Sequence, residues 1–215
     1  MKTVAFVPIR LNSKRVVGKN LKELGNKPLM TYVLHSLSEI SEIDEIYVYC
    51  SSEEVIGYLP PNVRFLKRSE HLDRDEALGC EIYDAFISEV YADVYILAHA
   101  TSPFIKPESI KNALGKVLHE GYDSAFSAEK IQTFCWYEGK PLNYNLKSIP
   151  RTQTIQPVII ESSAFYIFKR DVWRVERQRI GFHPYIQIVD KIEGIDIDHP
   201  EEFDYAEKII RINRL

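Results

Sequence analysis

Short apolar runs of strand length alternate along this chain with segments whose apolar residues recur at helical spacing, and that alternation restricts what the chain can become. Thr3 to Ile9 is nearly continuous apolar sequence, as suits a strand buried on both faces of a parallel sheet. Pro28 opens a helix that carries Leu29, Tyr32, Val33 and Leu37 on one side. Strands are expected at Glu45 to Tyr49 and Val63 to Leu66, a helix at Glu76 to Val90, and a strand at Asp93 to Ala98. A helix at Pro107 to His119 and a strand at Asp123 to Ser127 follow. Crossovers of this length join parallel strands, so the pattern predicts an α/β fold: a mostly parallel sheet with helices on both faces.

The periodicity breaks between Lys130 and Val158, where Trp136, Tyr137, Tyr144 and three prolines replace it. That stretch is expected to form an insertion or arm. A strand returns at Ala164 to Phe168, and a helix near Glu201 to Ile212 closes the chain. The 215 residues are read as one domain, large enough for a full core.

Net charge of -4, with 45% apolar and 27% charged residues, argues against a general nucleic-acid-binding surface but leaves room for one local basic site. No apolar run approaches the about 20 residues of a membrane helix. The N-terminus turns charged too soon for a secretory signal, so a cytoplasmic location is the expectation. Cys50, Cys80 and Cys135 lack CxxC spacing and suit neither a disulfide framework nor a zinc site.

The local basic site follows the first strand. Arg10, Lys14, Arg15 and Lys19 fall within ten positions, beyond the carboxyl end of a strand, where open α/β sheets bind ligands. Arg10 and Lys14 can offer charge-assisted hydrogen bonds to phosphate oxygens, and Gly18 would let the backbone approach closely. The alternative is a solvated basic turn. Neither GxxxxGK[ST] nor GxGxxG is present, which sets aside two other phosphate sites.

Near the other end, Asp196 and Asp198 flank Ile197; in an extended segment both carboxylates would share a face and suit Mg²⁺. The alternative is a capping pair ahead of the last helix. Thr101 and Ser102, in the turn after His99, can hold a base or ribose edge or can simply start a helix. Arg151 and Gln153, with Glu161, Ser162 and Ser163, can bind a polyhydroxylated anion, or the first two can be exposed arm residues. His35, His71, His119 and His183 lack metal-ligand spacing, and no hydrolase triad or GxSxG elbow is present.

The segment VPIRLNSKRVVGKNLKELGNKPLMTYVL resembles the opening of the acylneuraminate cytidylyltransferases, and RSEHLDRD, LAHATSPF, PRTQTIQP, ESSAFYIF and IDIDHPEEFDYAE follow in that family's order. The resemblance implies a Rossmann-like nucleotidyltransferase fold that transfers CMP from CTP to a nonulosonic, sialic-acid-like α-keto sugar acid and releases pyrophosphate. It implies that Arg10, Lys14 and Lys19 hold the triphosphate, with Ser13 and Asn20 in the same loop and Arg68 and Asp75 near the nucleotide. It places Arg151 and Gln153 on the sugar side, Mg²⁺ at Asp196 and Asp198, and Asp198 with the three cations among the catalytic groups. It further implies a homodimer in which the arm at residues 130–158 reaches the partner's site. Being in a loop, Lys19 is expected to matter more for CTP than for folding.

Three positions depart from the family pattern: His99 stands where a glutamine is usual, Ser162-Ser163 where Asn-Gly is usual, and Cys50-Ser51-Ser52 where Ser-Thr-Asp is frequent. Alternative readings are the same chemistry on 3-deoxy-octulosonate and a non-catalytic nucleotide- or sugar-binding homologue. A DxD glycosyltransferase is disfavoured, because its acidic pair lies mid-chain and it needs no N-terminal cation loop.

Overall fold

The computed structural model describes residues 1–213. The order of its elements is β1 (Thr3–Ile9), β2 (Glu23–Leu24), β3 (Lys27–Pro28), α1 (Leu29–Ser38), β4 (Glu45–Cys50), β5 (Val63–Lys67), α2 (Gly79–Glu89), β6 (Val94–Ala98) and α3 (Pro107–His119). There follow β7 (Ser124–Ile131), β8 (Trp136–Tyr137), β9 (Lys140–Pro141), β10 (Val158–Lys169), α4 (Arg170–Glu176), β11 (Pro184–Ile188) and α5 (Pro200–Asn213). Short 3₁₀ turns at Glu53–Tyr58 and Glu70–Asp73 flank β5.

Seven strands form one sheet in the order β11-β7-β10-β6-β1-β4-β5. The pairs of β1 with β4 and β6, β4 with β5, and β7 with β11 are parallel, whereas β10 runs antiparallel to both of its neighbours. The sheet is therefore mixed and mostly parallel, as the alternation implies. Backbone N–H groups of Lys2 and Thr3 donate to Asp93 and Asp44 at 2.6 and 2.7 Å, which tie the start of β1 to the starts of its two neighbours.

Three apolar clusters hold the layers together. Ala5 and Val7 of β1 face α1 and α3, while Phe6, on the alternate face, stacks on Phe86 of α2 at 4.2 Å between ring centroids. Trp173 of α4 joins the second cluster. The third joins the two ends of the chain: Val16, Leu24, Leu29 and Tyr32 pack with Ile197 and with Phe203, Ala206 and Ile210 of α5. Gly25, at φ +69°, permits this closure, since a Cβ there would lie 2.9 Å from Ile210 Cγ2.

Several expectations are corrected. β7 continues to Ile131 and β10 begins at Val158, so the ends of the expected arm belong to the sheet, and a small β8-β9 hairpin lies within the remainder. Helix α2 starts at Gly79 rather than Glu76, because Arg74 to Leu78 is spent on the turn that precedes it. Helix α4 and strand β11 were not expected; each is short, seven and five residues. Asp196 and Asp198 lie outside any strand, and their side chains meet different partners: Thr101 for Asp196, Lys19 and Arg15 for Asp198. Gly18 holds a left-handed φ of +62°, and a Cβ there would meet no protein atom within 4 Å. Among the described residues no helix is long and apolar enough to cross a membrane.

Candidate active site

The loop after β1 folds back over the carboxyl end of that strand and walls a cavity of about 230 Å³. Arg10, Ser13, Lys14, Arg15 and Lys19 line one side of it; His99, Thr101 and Asp198 line the other. The backbone of this loop is braced from within. The Asn20 side-chain amide donates to the Arg10 carbonyl at 2.9 Å, and Met30 N–H donates to the Asn20 carbonyl at 3.0 Å.

Lys19 is buried, which a loop lysine achieves only with partners. Its ammonium donates to the Ile197 carbonyl at 2.7 Å and to Asp198 Oδ1 at 3.0 Å. Arg15 meets the same Asp198 oxygen at 3.0 Å. Burial pushes the Asp198 carboxyl up, but Lys19 and Arg15 outweigh it and hold Asp198 below its ordinary range. Asp198 is thus an anion at neutral pH. It does not cap α5: Glu202 reaches back instead, accepting from the backbone N–H groups of Asp198 and His199 at 2.6 and 2.8 Å.

Asp196 points elsewhere. It is mostly buried, bonds to the Thr101 side chain, and burial raises its pKa, with Asp198 adding to the rise. Its Oδ1 is buried without a hydrogen-bond partner. The two aspartates therefore differ, with Asp198 at the cavity wall and Asp196 packed behind it. Among the described residues no group of three or more His, Cys, Asp and Glu side chains is arranged to hold a metal ion.

A second hollow of about 280 Å³ shares Pro8, Arg10 and His99 with the first and adds Arg68, Tyr83 and Asp75. Asp75 holds Arg10 at 3.2 Å and also pairs with Lys14, which is the main cause of its lowered pKa. Arg68 is buried and pairs with Asp73, which Ser51 also contacts. Its Nε has no partner. The structure thus brings the residues expected at the nucleotide into two adjoining hollows, with the cations paired two to each of Asp75 and Asp198.

The residues expected at the sugar scatter. Thr101 faces the first cavity, but Ser102 is fully buried and offers it no surface. Arg151 and Gln153 are exposed on the arm, away from the cavity-lining residues of this chain. Glu161, Ser162 and Ser163 sit where the β10 register breaks, between Glu161 and Tyr166. Ser162 is buried with an unpaired hydroxyl, and Glu161 lines a third cavity beside Arg179.

The cytidylyltransferase family model matches residues 4–214. The chain belongs to that family. It is 26% identical over 215 residues to N-acylneuraminate cytidylyltransferase B of Danio rerio, covering 95% of this chain and 50% of that protein. The chain therefore spans about half the length of the first curated relatives it matches. Two bacterial relatives match almost end to end. Pseudaminic acid cytidylyltransferase of Campylobacter jejuni is 23% identical, covering 99% of this chain and 98% of the relative. CMP-N,N'-diacetyllegionaminic acid synthase of Legionella pneumophila is 24% identical, covering 100% and 98%. The fold is shared with a CMP:2-keto-3-deoxy-manno-octonic acid synthetase complexed with CTP, at a TM-score of 0.73 and 17% identity, covering 99% of this chain and 100% of that one.

Three parts of this cytidylyltransferase site escaped the sequence reading. Arg15 was seen in the cation cluster but not as a partner of Asp198. Asp73, inside RSEHLDRD, was passed over although it pairs with Arg68. Arg179 follows α4 and carried no motif; only the density of arginines from Arg170 to Arg179 marks that segment. His99 proves more than a turn residue. Burial, then Arg179, depress its pKa to about 4, against a hydrogen bond to the Ser163 backbone.

The burial of Lys19 gives it a part in folding beside the part expected with CTP. Lys19→Met is expected to lower the melting temperature by several degrees, because it leaves Asp198 short of its buried cation. A melting curve that matches the wild type would show that the pair contributes nothing to stability.

His99 is neutral at pH 7. A histidine pKa held below its unfolded value of about 6.5 makes the unfolded state bind more protons, so stability is full above that pH and declines as pH falls toward 4. The His99 ring signal in NMR should titrate near 4, and His99→Gln should flatten the acid-side loss of stability. A midpoint near 6.5 would refute the burial argument.

Proposed function

We propose that this chain transfers CMP from CTP to a nonulosonic α-keto sugar acid, with release of pyrophosphate. The observation that carries this reading is the convergence of the N-terminal cation loop and Asp198 on one cavity, in a chain of the cytidylyltransferase family. The anomeric hydroxyl, which the keto carbon carries once the sugar closes to its cyclic hemiketal, attacks the α-phosphorus in line; a new O–P bond forms, the hydroxyl proton is lost to solvent, and the bond to the β-phosphate oxygen breaks with pyrophosphate as the leaving group. Such chemistry depends on positioning and on offsetting charge. Arg10 and Lys14 would exchange Asp75 for phosphate oxygens, and Arg15 and Lys19 would hold the negative charge that grows on the leaving pyrophosphate.

The donor set fits Mg²⁺. Asp198 is an exposed anion on the cavity wall, and the unpaired Asp196 Oδ1 behind it is an acceptor in want of a positive partner. When bound there, Mg²⁺ would neutralise phosphate charge. The residues fixed by the fold do the orienting: Lys19 and Arg15 aim Asp198, and Thr101 aims Asp196.

The curated relatives act on sialic, pseudaminic and legionaminic acids according to their names, which favours a nonulosonic acceptor over the octulosonate of the solved neighbour. An acceptor screen with CTP and Mg²⁺, read by pyrophosphate release, tests the reading, with 3-deoxy-octulosonate included. Asp198→Asn should keep the fold by circular dichroism and lose turnover by roughly a hundredfold or more. Near-normal turnover of that variant at saturating Mg²⁺ would overturn the role of Asp198. Binding of CTP with no pyrophosphate from any acceptor would point to a non-catalytic homologue.

The arm carries exposed Phe134, Trp136, Tyr137, Leu142, Leu146 and Ile149, an apolar surface large for a monomer. We propose that a second copy covers it, and that Arg151 and Gln153 thereby reach the partner's cavity. Sedimentation should give a dimer that Trp136→Asp together with Ile149→Asp converts to monomers; a wild-type monomer at micromolar concentration would refute it.

A further inference from the structure

The turn that brings Thr101 to the cation cavity runs on into the wall of another cavity, of about 420 Å³. Tyr32, Pro103, Phe104, Ile105 and Ile192 make much of that wall apolar, yet Glu193 stands in it with only 3% of its surface exposed. A carboxylate taken out of water costs free energy unless it is bonded, and an apolar side chain would fill the same space without that cost. What the carboxylate adds is direction.

Glu193 Oε1 accepts from the backbone N–H of Lys106 at 3.1 Å, and Oε2 lies 3.4 Å from the Lys106 ammonium. Lys106 is the cap residue of α3, a helix packed in the first apolar cluster, so the partner of Glu193 has a fixed place. The turn that presents Glu193 is closed by Asp190. Asp190 Oδ1 accepts from the N–H groups of Ile192 and Glu193, both at 2.9 Å, and its carbonyl accepts from Gly194 N–H at 2.9 Å. Asp190 Oδ2 accepts from the same Lys106 ammonium at 2.6 Å.

A second fastening follows within a few residues. Ile197 N–H donates to the Thr101 carbonyl at 2.8 Å, and Asp196 bonds to the Thr101 side chain. The segment from Glu193 to Ile197 is thus tied at both ends to one turn, Thr101 to Lys106. It is laid down closely: a Cβ on Gly194 would lie 2.6 Å from the Glu129 carboxylate of β7. Asp196 sits inside the tied span, and among the described residues its buried Oδ1 has no partner. Asp198 has its own holders in Lys19 and Arg15, so Asp196 is the carboxylate whose place depends on the span.

On the strength of the Mg²⁺ donor set given above, we propose that Glu193 is a positioning residue for that metal site. It sets the depth of Asp196 from three positions away and touches neither metal nor nucleotide. Tied at Thr101 alone, the span could pivot and Asp196 Oδ1 could withdraw from the cavity wall. Groups that hold a metal's ligands in place typically matter tenfold or more in metal affinity. The triphosphate cations are carried by the loop after β1, whereas the bonds of Glu193 go to Lys106 and Asp190. Its removal should therefore be felt by the metal before it is felt by CTP.

Mn²⁺ titration of the whole chain without nucleotide, read by the EPR signal of the free ion, tests this apart from turnover. Glu193→Ala should weaken Mn²⁺ binding by about tenfold or more. In pyrophosphate release it should raise the half-saturating Mg²⁺ by a similar factor, while kcat and KM for CTP at saturating Mg²⁺ stay within about threefold. Glu193→Gln keeps an acceptor for Lys106 N–H and should recover most of the loss. Val117→Ala, in the core face of α3, lowers the melting temperature as well but should leave Mn²⁺ affinity unchanged. Should Glu193→Ala not fold, Gly194→Ala carries the test, since it pushes the same span against Glu129 and should weaken Mn²⁺ likewise. Wild-type Mn²⁺ affinity in the folded variant would overturn the role of Glu193 and leave the transferase standing. So would an equal loss in Val117→Ala, no recovery in Glu193→Gln, or no Mn²⁺ bound by the wild type. A tenfold loss of Mn²⁺ in Glu193→Ala, in a chain that releases no pyrophosphate with any acceptor, would retain the positioning role and overturn the transferase.

Discussion

The buried ammonium of Lys19 joins two parts of the chain that are 179 positions apart, and the cavity exists because of that join. The electrostatic contact does not stand alone. Val16 of the loop and Ile197 of the tail are buried in the same apolar cluster, with Phe203 and Ile210 of α5 against Leu24 and Leu29. Burial of Ile197 removes apolar surface from water, and the residues on either side of it are thereby set at the cavity's edge. Chain geometry then decides their fates. Asp198 emerges beside Lys19 and Arg15, and Asp196 is turned toward Thr101. Hydrophobic packing supplies the position, and the ion pair supplies the register.

This arrangement explains how four cations can sit together in an acidic protein without repelling the loop open. Arg10 and Lys14 share Asp75, and Arg15 and Lys19 share Asp198. Each carboxylate takes two cations, so the pairs keep net positive charge for an entering polyanion. The exposed pairs are individually worth little. Their effect is to hold side chains near the geometry that a phosphate chain would demand, which lowers the ordering cost of binding. Asp75, expected near the nucleotide, lies in the hollow beside the cation cavity and is the counter-ion of Arg10 and Lys14.

What could be read from the sequence was whatever depends on local pattern. The continuous apolar run of β1, the proline-led helices α1 and α3, and the buried strand β6 declared themselves through period and composition. The loop's cations did so through charge density. The remainder depended on long-range contacts. No local rule says that a loop lysine is buried; that required Ile197 and Asp198 to arrive from the far end. Read from the sequence, both aspartates had one expected role, whereas their partners differ: Thr101 for Asp196, Lys19 and Arg15 for Asp198. Arg179 was invisible because its partner is an aromatic ring on a different strand, thirteen positions earlier in sequence and brought near only by the turn through α4. Arg15 and Asp73 were missed for a similar reason, since each is defined by a charged partner that the fold brings near.

The departures at His99 and Ser162-Ser163 gain a common physical setting. The resemblance led to an expectation of Asn-Gly where this chain has the two serines, and the backbone at Ser163 holds a conformation suited to glycine, at φ +60°. The demand of the β10 bulge has thus been kept while the residue that meets it most cheaply has not. The serine side chain gains a place beside the Tyr166 hydroxyl, and its backbone bonds to the His99 ring. That ring lies next to Tyr166, on which Arg179 rests. A glycine at position 163 would relieve the strain but leave Tyr166 without its second oxygen. A glutamine at position 99 would alter the packing against the ring that carries Arg179. His99 and Ser163 are therefore parts of one wall, and the strain at Ser163 sits where the strand break fixes the positions of Tyr166 and His99.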